Sequence, residues 1–130
     1  MTIPEKFRDI LEGKGFAHWA TIGRDGEPHS SPVWYDFDGE HILISQTKKR
    51  QKLHNVKRDP RVSISILDPG NPYRYIEIRC EVIDVTEDEG NAFINKMAKK
   101  YTNQDVYTWH MPGDERVVVR IQPKYTSTMG

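Results

Sequence analysis

The run "SQTKKRQKLHNVKRDPR", residues 45 to 61, concentrates the residue types that grip an anion. Lys48, Lys49, Arg50, Lys52, Lys57, Arg58 and Arg61 are seven of the chain's nineteen Lys and Arg residues, and Asp59 is the only acid among them. The run starts where the apolar stretch "EHILI" ends, and it leads into the alternating "RVSISIL". A chain that leaves a strand and turns into a helix has free leading N–H groups, and the positive end of the helix dipole adds to them. Ser45 and Thr47 can donate hydroxyl hydrogen bonds beside that point, and Arg50 and Lys52 follow within reach of a phosphate. Two readings meet here: a phosphate site, or a solvated helix face, which is the usual fate of a charge run.

The other chemistry-bearing types narrow the choice. Nineteen Lys and Arg balance nineteen Asp and Glu, so any electrostatic function has to be local. That balance argues against nucleic-acid recognition, as does the lack of stacking aromatics interleaved with the basic run. The sequence contains no G-x-S-x-G, no Walker loop, no His-Glu-x-x-His and no glycine fingerprint of a dinucleotide fold. His18, His29, His41, His54 and His110 are scattered singly, so no metal is expected. Cys80, the single cysteine, has no internal disulfide partner. "MTIPEKFRDI" shows neither a signal-peptide apolar stretch nor an Arg-rich amphipath, and no run approaches a membrane span. The expectation is a soluble cytoplasmic protein.

Positioning these residues falls to elements that the hydrophobic pattern predicts. At 130 residues the chain is expected to form one domain, residues 1–130. "TIPEKFRDILEGKG" reads as a helix, with Thr2 and Glu5 at capping-box spacing. Strands follow at "FAHWATIG", "HSSPVWYDF" and "EHILISQ", turned at Asp25-Gly26 and Asp38-Gly39. Pro32 argues that its strand lies at an edge or a bulge. Leu53 and Val56 give the basic run a narrow helical contact. "RVSISIL", the long "YRYIEIRCEVIDV" and "ERVVVRIQP" complete about six strands. Between the last two lies a helix, "TEDEGNAFINKMAKKY", expected to be capped by Thr86 with Glu89 and to bury Phe93 and Met97. Residues 102–114 form a loop, and "KYTSTMG" has no packing pattern. Hairpins at this spacing favour an antiparallel barrel or sandwich.

"ATIGRDGEPHSSPVWYDFDG", "ISQTKKRQKLHNVKRDPRVSI", "YIEIRCEVIDVTEDE" and "ERVVVRIQP", in this order, resemble the pyridoxamine 5'-phosphate oxidase-like (PPOX class) family, in its branch that depends on the deazaflavin coenzyme F420. The most specific portion is K-x-x-N-V-x-R-D-P-R, from Lys52 to Arg61. The resemblance implies a mostly β split barrel with flanking helices, a Greek-key antiparallel barrel. It also implies a homodimer with a cofactor cleft at each side of the subunit interface. Carried over, the phosphate lysine falls on Lys52, and the polar and basic positions before it on Ser45, Gln46, Thr47, Lys48, Lys49 and Arg50. The strand lining the ring falls on Ser31, Pro32, Val33 and Trp34. Flavin-binding oxidases of the family usually carry an arginine at the Ser31 position, so a serine there favours F420 over FMN. The surplus of basic residues would then face the anionic tail of F420.

Tyr73 and Tyr75 either reach the partner subunit's cofactor or substrate, or seal the dimer. Trp109 and His110 are either a substrate lid or part of a plain connection. The function implied is reduction of a conjugated small molecule by hydride from reduced F420. The alternatives are an FMN-binding reductase or oxidase of the same fold and a non-catalytic F420 carrier. No side chain stands out as the proton donor, so no catalytic residue is named.

Overall fold

The computed structural model describes residues 3–130, so the Thr2 half of the expected capping box lies outside the described residues. The chain enters through a 3-10 turn, Glu5–Phe7, and a short helix α1, Arg8–Glu12, whose Phe7, Ile10 and Leu11 are buried. This element is shorter than the periodicity predicts because Gly13 leaves helical geometry at once. Seven strands follow in place of six: β1 Ala17–Ile22, β2 Pro28–Val33, β3 Asp36–Phe37, β4 Ile42–Thr47, β5 Arg61–Asp68, β6 Asn71–Glu87 and β7 Arg116–Met129. Helix α2, Gln51–Arg58, lies between β4 and β5, and α3, Ala92–Thr102, lies between β6 and β7.

All pairings are antiparallel, in the order β2-β1-β5-β6-β7-β4-β3. The two edges of this sheet, β2 and β3, are joined by Trp34 and Tyr35 alone. So short a link spans at most about 11 Å, so the edges must lie side by side and the sheet must roll into a barrel. No ladder joins β2 to β3. The barrel is therefore split, and the slit runs past Trp34. Pro32 sits on the edge strand β2, where a missing N–H costs nothing.

Alternation fills the interior. Trp19, Ile42, Ile44, Ile64, Ile66, Ile76, Ile78, Val119 and Ile121 face inward and are fully buried. Tyr35 closes one end, donating its hydroxyl to the Ile10 carbonyl at 2.6 Å. The long β6 bends at two register shifts, one where Pro123 of β7, lacking an N–H, opposes Cys80. β7 runs on to Met129, opposite Tyr75, so most of the patternless tail "KYTSTMG" is strand after all. Ladder bonds to β6 hold it where side-chain periodicity gives no signal. The cap of α3 also differs: Thr86 and Glu87 remain in β6, and Asp88 accepts from the N–H groups of Phe93 and Ile94 at 2.8 and 3.0 Å. Met97 is buried as expected, whereas Phe93 is only half-buried.

Candidate functional site

Helix α2 starts at Gln51 with Arg50 at its N-cap position and no side-chain cap. Its apolar contact is Leu53 and Val56, both buried, with Asn55 buried between them. The Asn55 amide donates to Thr21 Oγ1 at 3.0 Å and accepts from Gln51 Nε2 and Arg58 Nη2 at 2.9 and 3.0 Å. These bonds pin the helix to β1 and fix where Lys52 points. Lys52 Nζ reaches across to β2 and donates to Ser31 Oγ at 2.9 Å.

Lys52, Arg50 and the end of β4 stand at one side of a cavity of about 380 Å³. Pro32, Val33 and Trp34, at the slit, form a second side, together with Phe16. Ile94 and Met97 of α3 contribute apolar surface, and Tyr107 and Trp109 come from the loop before β7. Of the predicted residues, Pro32, Val33, Trp34, Ser45, Gln46, Thr47, Arg50 and Lys52 line this one cavity, and Ser31 touches it through Lys52. A second cavity of about 300 Å³ shares Thr47, Arg50, Tyr107, Trp109 and Arg116 with it and extends to Lys49 and Asp114.

Of the remaining predicted residues, Lys49 lines only the second cavity, and Lys48, Tyr73 and Tyr75 line neither. Lys48 Nζ pairs with Glu87 at 2.5 Å and with Glu115 at 3.4 Å, and Lys49 Nζ pairs with Asp114 at 2.9 Å. Arg61 pairs with Asp59 at 2.6 Å. The basic run is therefore not undiluted: acids from the far ends of β6 and of the loop engage Lys48 and Lys49, two of its seven cations. Sequence alone hides this because the acids lie more than thirty residues away. Arg50 and Lys52 have no carboxylate partner among the described residues. Tyr73 is 78% exposed and away from the cavity, and Tyr75 is half-buried opposite Met129.

Burial, first, and the Arg50 charge, second, lower the Lys52 pKa, so the site is short of a negative charge. Thr47, 4% exposed, has a hydroxyl with no protein partner, and so does the buried Nε of Arg116. These are groups that an anionic or polar ligand would satisfy. Trp34 stacks on Tyr101 at 5.0 Å with planes 3° apart. Trp109 leans on Trp34 at 6.1 Å, and Tyr107 meets both rings edge-on. His110 lies against Tyr107 at 4.9 Å but does not line either cavity. The cavity thus joins an aromatic wall to a cationic rim, which suits a flat conjugated molecule with an acidic end. Among the described residues, no group of three or more His, Cys, Asp and Glu side chains converges on a metal position. No helix among the described residues is long and apolar enough to cross a membrane.

Phe16, Ile94, Tyr107 and Arg116 were not among the predicted site residues, and Met97 was read only as helix core. Arg116 opens an unremarkable strand, and Tyr107 sits in a loop with no period. Only the two adjacent acids before Arg116, which engage Lys48 and Lys49, set that strand start apart.

Comparison with known proteins agrees with this geometry. The family described as pyridoxamine 5'-phosphate oxidase matches residues 3–130. A solved F420 reductase is 37% identical, with a TM-score of 0.86 over 96% of this chain and 98% of that one. A conserved hypothetical protein of Mycobacterium tuberculosis is 29% identical, with a TM-score of 0.75 over 99% of this chain and 86% of that one. Among curated proteins, a 5a,11a-dehydrotetracycline/5a,11a-dehydrooxytetracycline reductase of Streptomyces rimosus is 32% identical over 72 residues. That match covers 52% of this chain and 51% of the relative, about half of each.

Proposed function

Because this chain belongs to the pyridoxamine 5'-phosphate oxidase family, we propose that it is an oxidoreductase using reduced coenzyme F420 to reduce a conjugated small molecule. The observation that carries this reading is the Lys52 amine beside the cavity, lacking a carboxylate and bonded to the Ser31 hydroxyl. Ser31 stands where flavin-binding oxidases of the family usually have an arginine, so the second cation that grips FMN is missing. The likeness to an F420 reductase and to a tetracycline-type reductase supports the same direction.

When bound, the reduced deazaflavin supplies a hydride to an electron-poor carbon of the acceptor. The chain's own residues do the rest. Lys52 and Arg50 hold the cofactor's phosphate, and Pro32, Val33 and Trp34 pack against its ring. Ser45, Gln46 and Thr47 offer the polar floor, while Tyr107 and Trp109 cover the cavity and exclude water. Holding two flat reactants in register is the main source of rate for such a transfer. Lys48 and Lys49 act by fastening the loop before β7 rather than by touching the tail. The working form is a homodimer with a cleft at each side of its interface. The exposure of Tyr73, far from its own cavity, supports a role for it across that interface.

Fluorescence titration of the purified protein with F420 and with FMN tests the assignment. Quenching by F420 well below the concentration needed for FMN is the expected result, with turnover on a panel of quinones, enones and tetrapyrroles. The family's name favours FMN as the second reading, which predicts a yellow protein on purification. Tight F420 binding without turnover on any acceptor would mark a carrier instead.

A further inference from the structure

The linker Trp34-Tyr35 crosses the slit of the barrel, where the sheet offers it no ladder partner. Side chains of α3 meet its backbone groups instead. The Tyr101 hydroxyl accepts the Tyr35 N–H at 3.2 Å and donates its own proton to the Gly15 carbonyl at 2.7 Å. Lys100 Nζ donates to the Tyr35 carbonyl at 2.6 Å. Lys96 pairs at 2.9 Å with Asp36, the first residue of β3. One helix thus holds both the linker and the strand it enters. Burial pushes the Tyr101 hydroxyl up to about 12, so the proton it lends to Gly15 stays in place at neutral pH.

The Tyr101 ring serves the cavity from behind. Ile94, Met97 and Tyr101 share one face of α3 by their spacing, and the first two line the cavity. Tyr101 does not line it, but its ring stacks on Trp34 and lies 5.9 Å from Phe16, tilted by 34°. Trp34 and Phe16 do line it. Tyr107 and Trp109 touch Trp34 only edge-on or at a tilt, so the parallel contact with Tyr101 is the one that sets its plane. Lys100 Nζ, 5.1 Å from the Tyr101 ring centroid, adds a cation–π contact to this post.

We propose that Tyr101 is a positioning residue: its ring face holds Trp34 in the plane against which a bound tricyclic ring packs, while its hydroxyl closes the slit. The proposal rests on the reading of Trp34 as the wall beside the cofactor's ring. On a two-residue linker at an open seam, Trp34 without this post has no fixed plane, and a flat ligand bears the cost of ordering it.

Lumiflavin, the tricyclic flavin ring without a phosphate, probes the wall alone, whereas F420 and FMN probe the wall and the phosphate grip together. Each is titrated by its own fluorescence against the wild type, Tyr101→Leu and Tyr101→Phe. Tyr101→Leu should weaken lumiflavin and the coenzyme by the same factor, about fivefold, the scale of a lost aromatic stack. Tyr101→Phe keeps the stack and should bind lumiflavin within about twofold of the wild type. It should nonetheless unfold at lower urea, because the Tyr35 N–H and the Gly15 carbonyl lose their partner. In a Trp34→Leu background, Tyr101→Leu should change lumiflavin affinity no further, since both act through one contact. If Tyr101→Leu does not fold, Tyr101→Gln replaces it, keeping a polar end for the seam without the ring. Unchanged lumiflavin affinity in the ring-less variant would overturn the proposal and, with F420 still bound, leave the coenzyme reading standing. A phenylalanine variant as weak as the leucine one would also overturn it, by making the effect one of stability alone, as would a wild type that binds no lumiflavin. Should lumiflavin respond as expected while neither F420 nor FMN binds, the coenzyme reading falls and the positioning role stands.

Discussion

Lys52 carries its charge at a cost, since burial and the Arg50 charge both lower its pKa and, among the described residues, the Ser31 hydroxyl is its one side-chain partner. A bound phosphate would remove that cost. Lys52→Ala is therefore expected to weaken F420 binding by about 1–3 kcal/mol, the scale of a charge-assisted hydrogen bond. Unchanged affinity in fluorescence titration would move the phosphate to another part of the molecule. Ser31→Arg puts a second cation beside Lys52 and should raise FMN retention through purification, read from absorbance in the visible. No gain in FMN would remove the argument from Ser31. The spaced motif from Lys52 to Arg61 singles out Lys52 in the sequence, and the family resemblance alone points to Ser31; that the two side chains meet is visible only in the folded chain. Arg116 and Tyr107 were not legible, since their place in the site depends on neighbours that only the folded chain supplies.

Helix α2 shows how an element turns a sequence run into a site. Its charged residues are conspicuous, yet its position depends on Asn55, which is fully buried and uses both ends of its amide. Removing that amide leaves Thr21 Oγ1 buried without its donor and leaves Arg58 only the Ile22 carbonyl, at 2.9 Å. Asn55→Ala should cost about 1–3 kcal/mol of stability, the desolvation penalty of an unpaired buried polar group. Urea denaturation measures it, and a change within error would mean that α2 is held by Leu53 and Val56 alone. The hairpins at Gly26 and Gly39 were readable because their glycines take φ of 85° and 96°, which few other residues accept. The two-residue strand β3 and the late part of β7 were not readable. Their pairing is decided by partners in the sheet rather than by their own pattern.

At the scale of the whole molecule, hairpin spacing left an antiparallel barrel or sandwich and the family resemblance implied the split barrel, but its closure is visible only in the pairing order. Two buried acids, Tyr35 and Cys80, and the half-buried Tyr101 set its alkaline limit. Burial pushes the Cys80 thiol up to about 12 from 9.0 and the Tyr101 hydroxyl up to about 12 from 10.0. Burial and the neighbouring Tyr101 hold the Tyr35 hydroxyl above the usual phenol range. A neutral acid whose folded pKa is raised stabilises fully below its unfolded pKa, and that contribution is lost as pH rises toward the folded value. Denaturation midpoints should therefore hold steady up to about pH 9 and fall steeply from there toward 12. A flat profile across that window would show these groups to be more open to water than their burial states. Assembly provides the last check. Parts of β1, β5, β6 and β7 line a groove of about 610 Å³ on whose edge Tyr125 stands 67% exposed. Leu67, Tyr73 and Met129, also on β5, β6 and β7, add exposed apolar surface. A stable homodimer needs about 800 Å² from each copy, and this stretch of sheet is the natural source. Sedimentation should give about twice the chain mass, with Tyr125→Asp shifting it to monomer and weakening F420 binding in parallel. A monomeric variant with full F420 affinity would detach the clefts from the interface and leave each chain sufficient for its own cofactor.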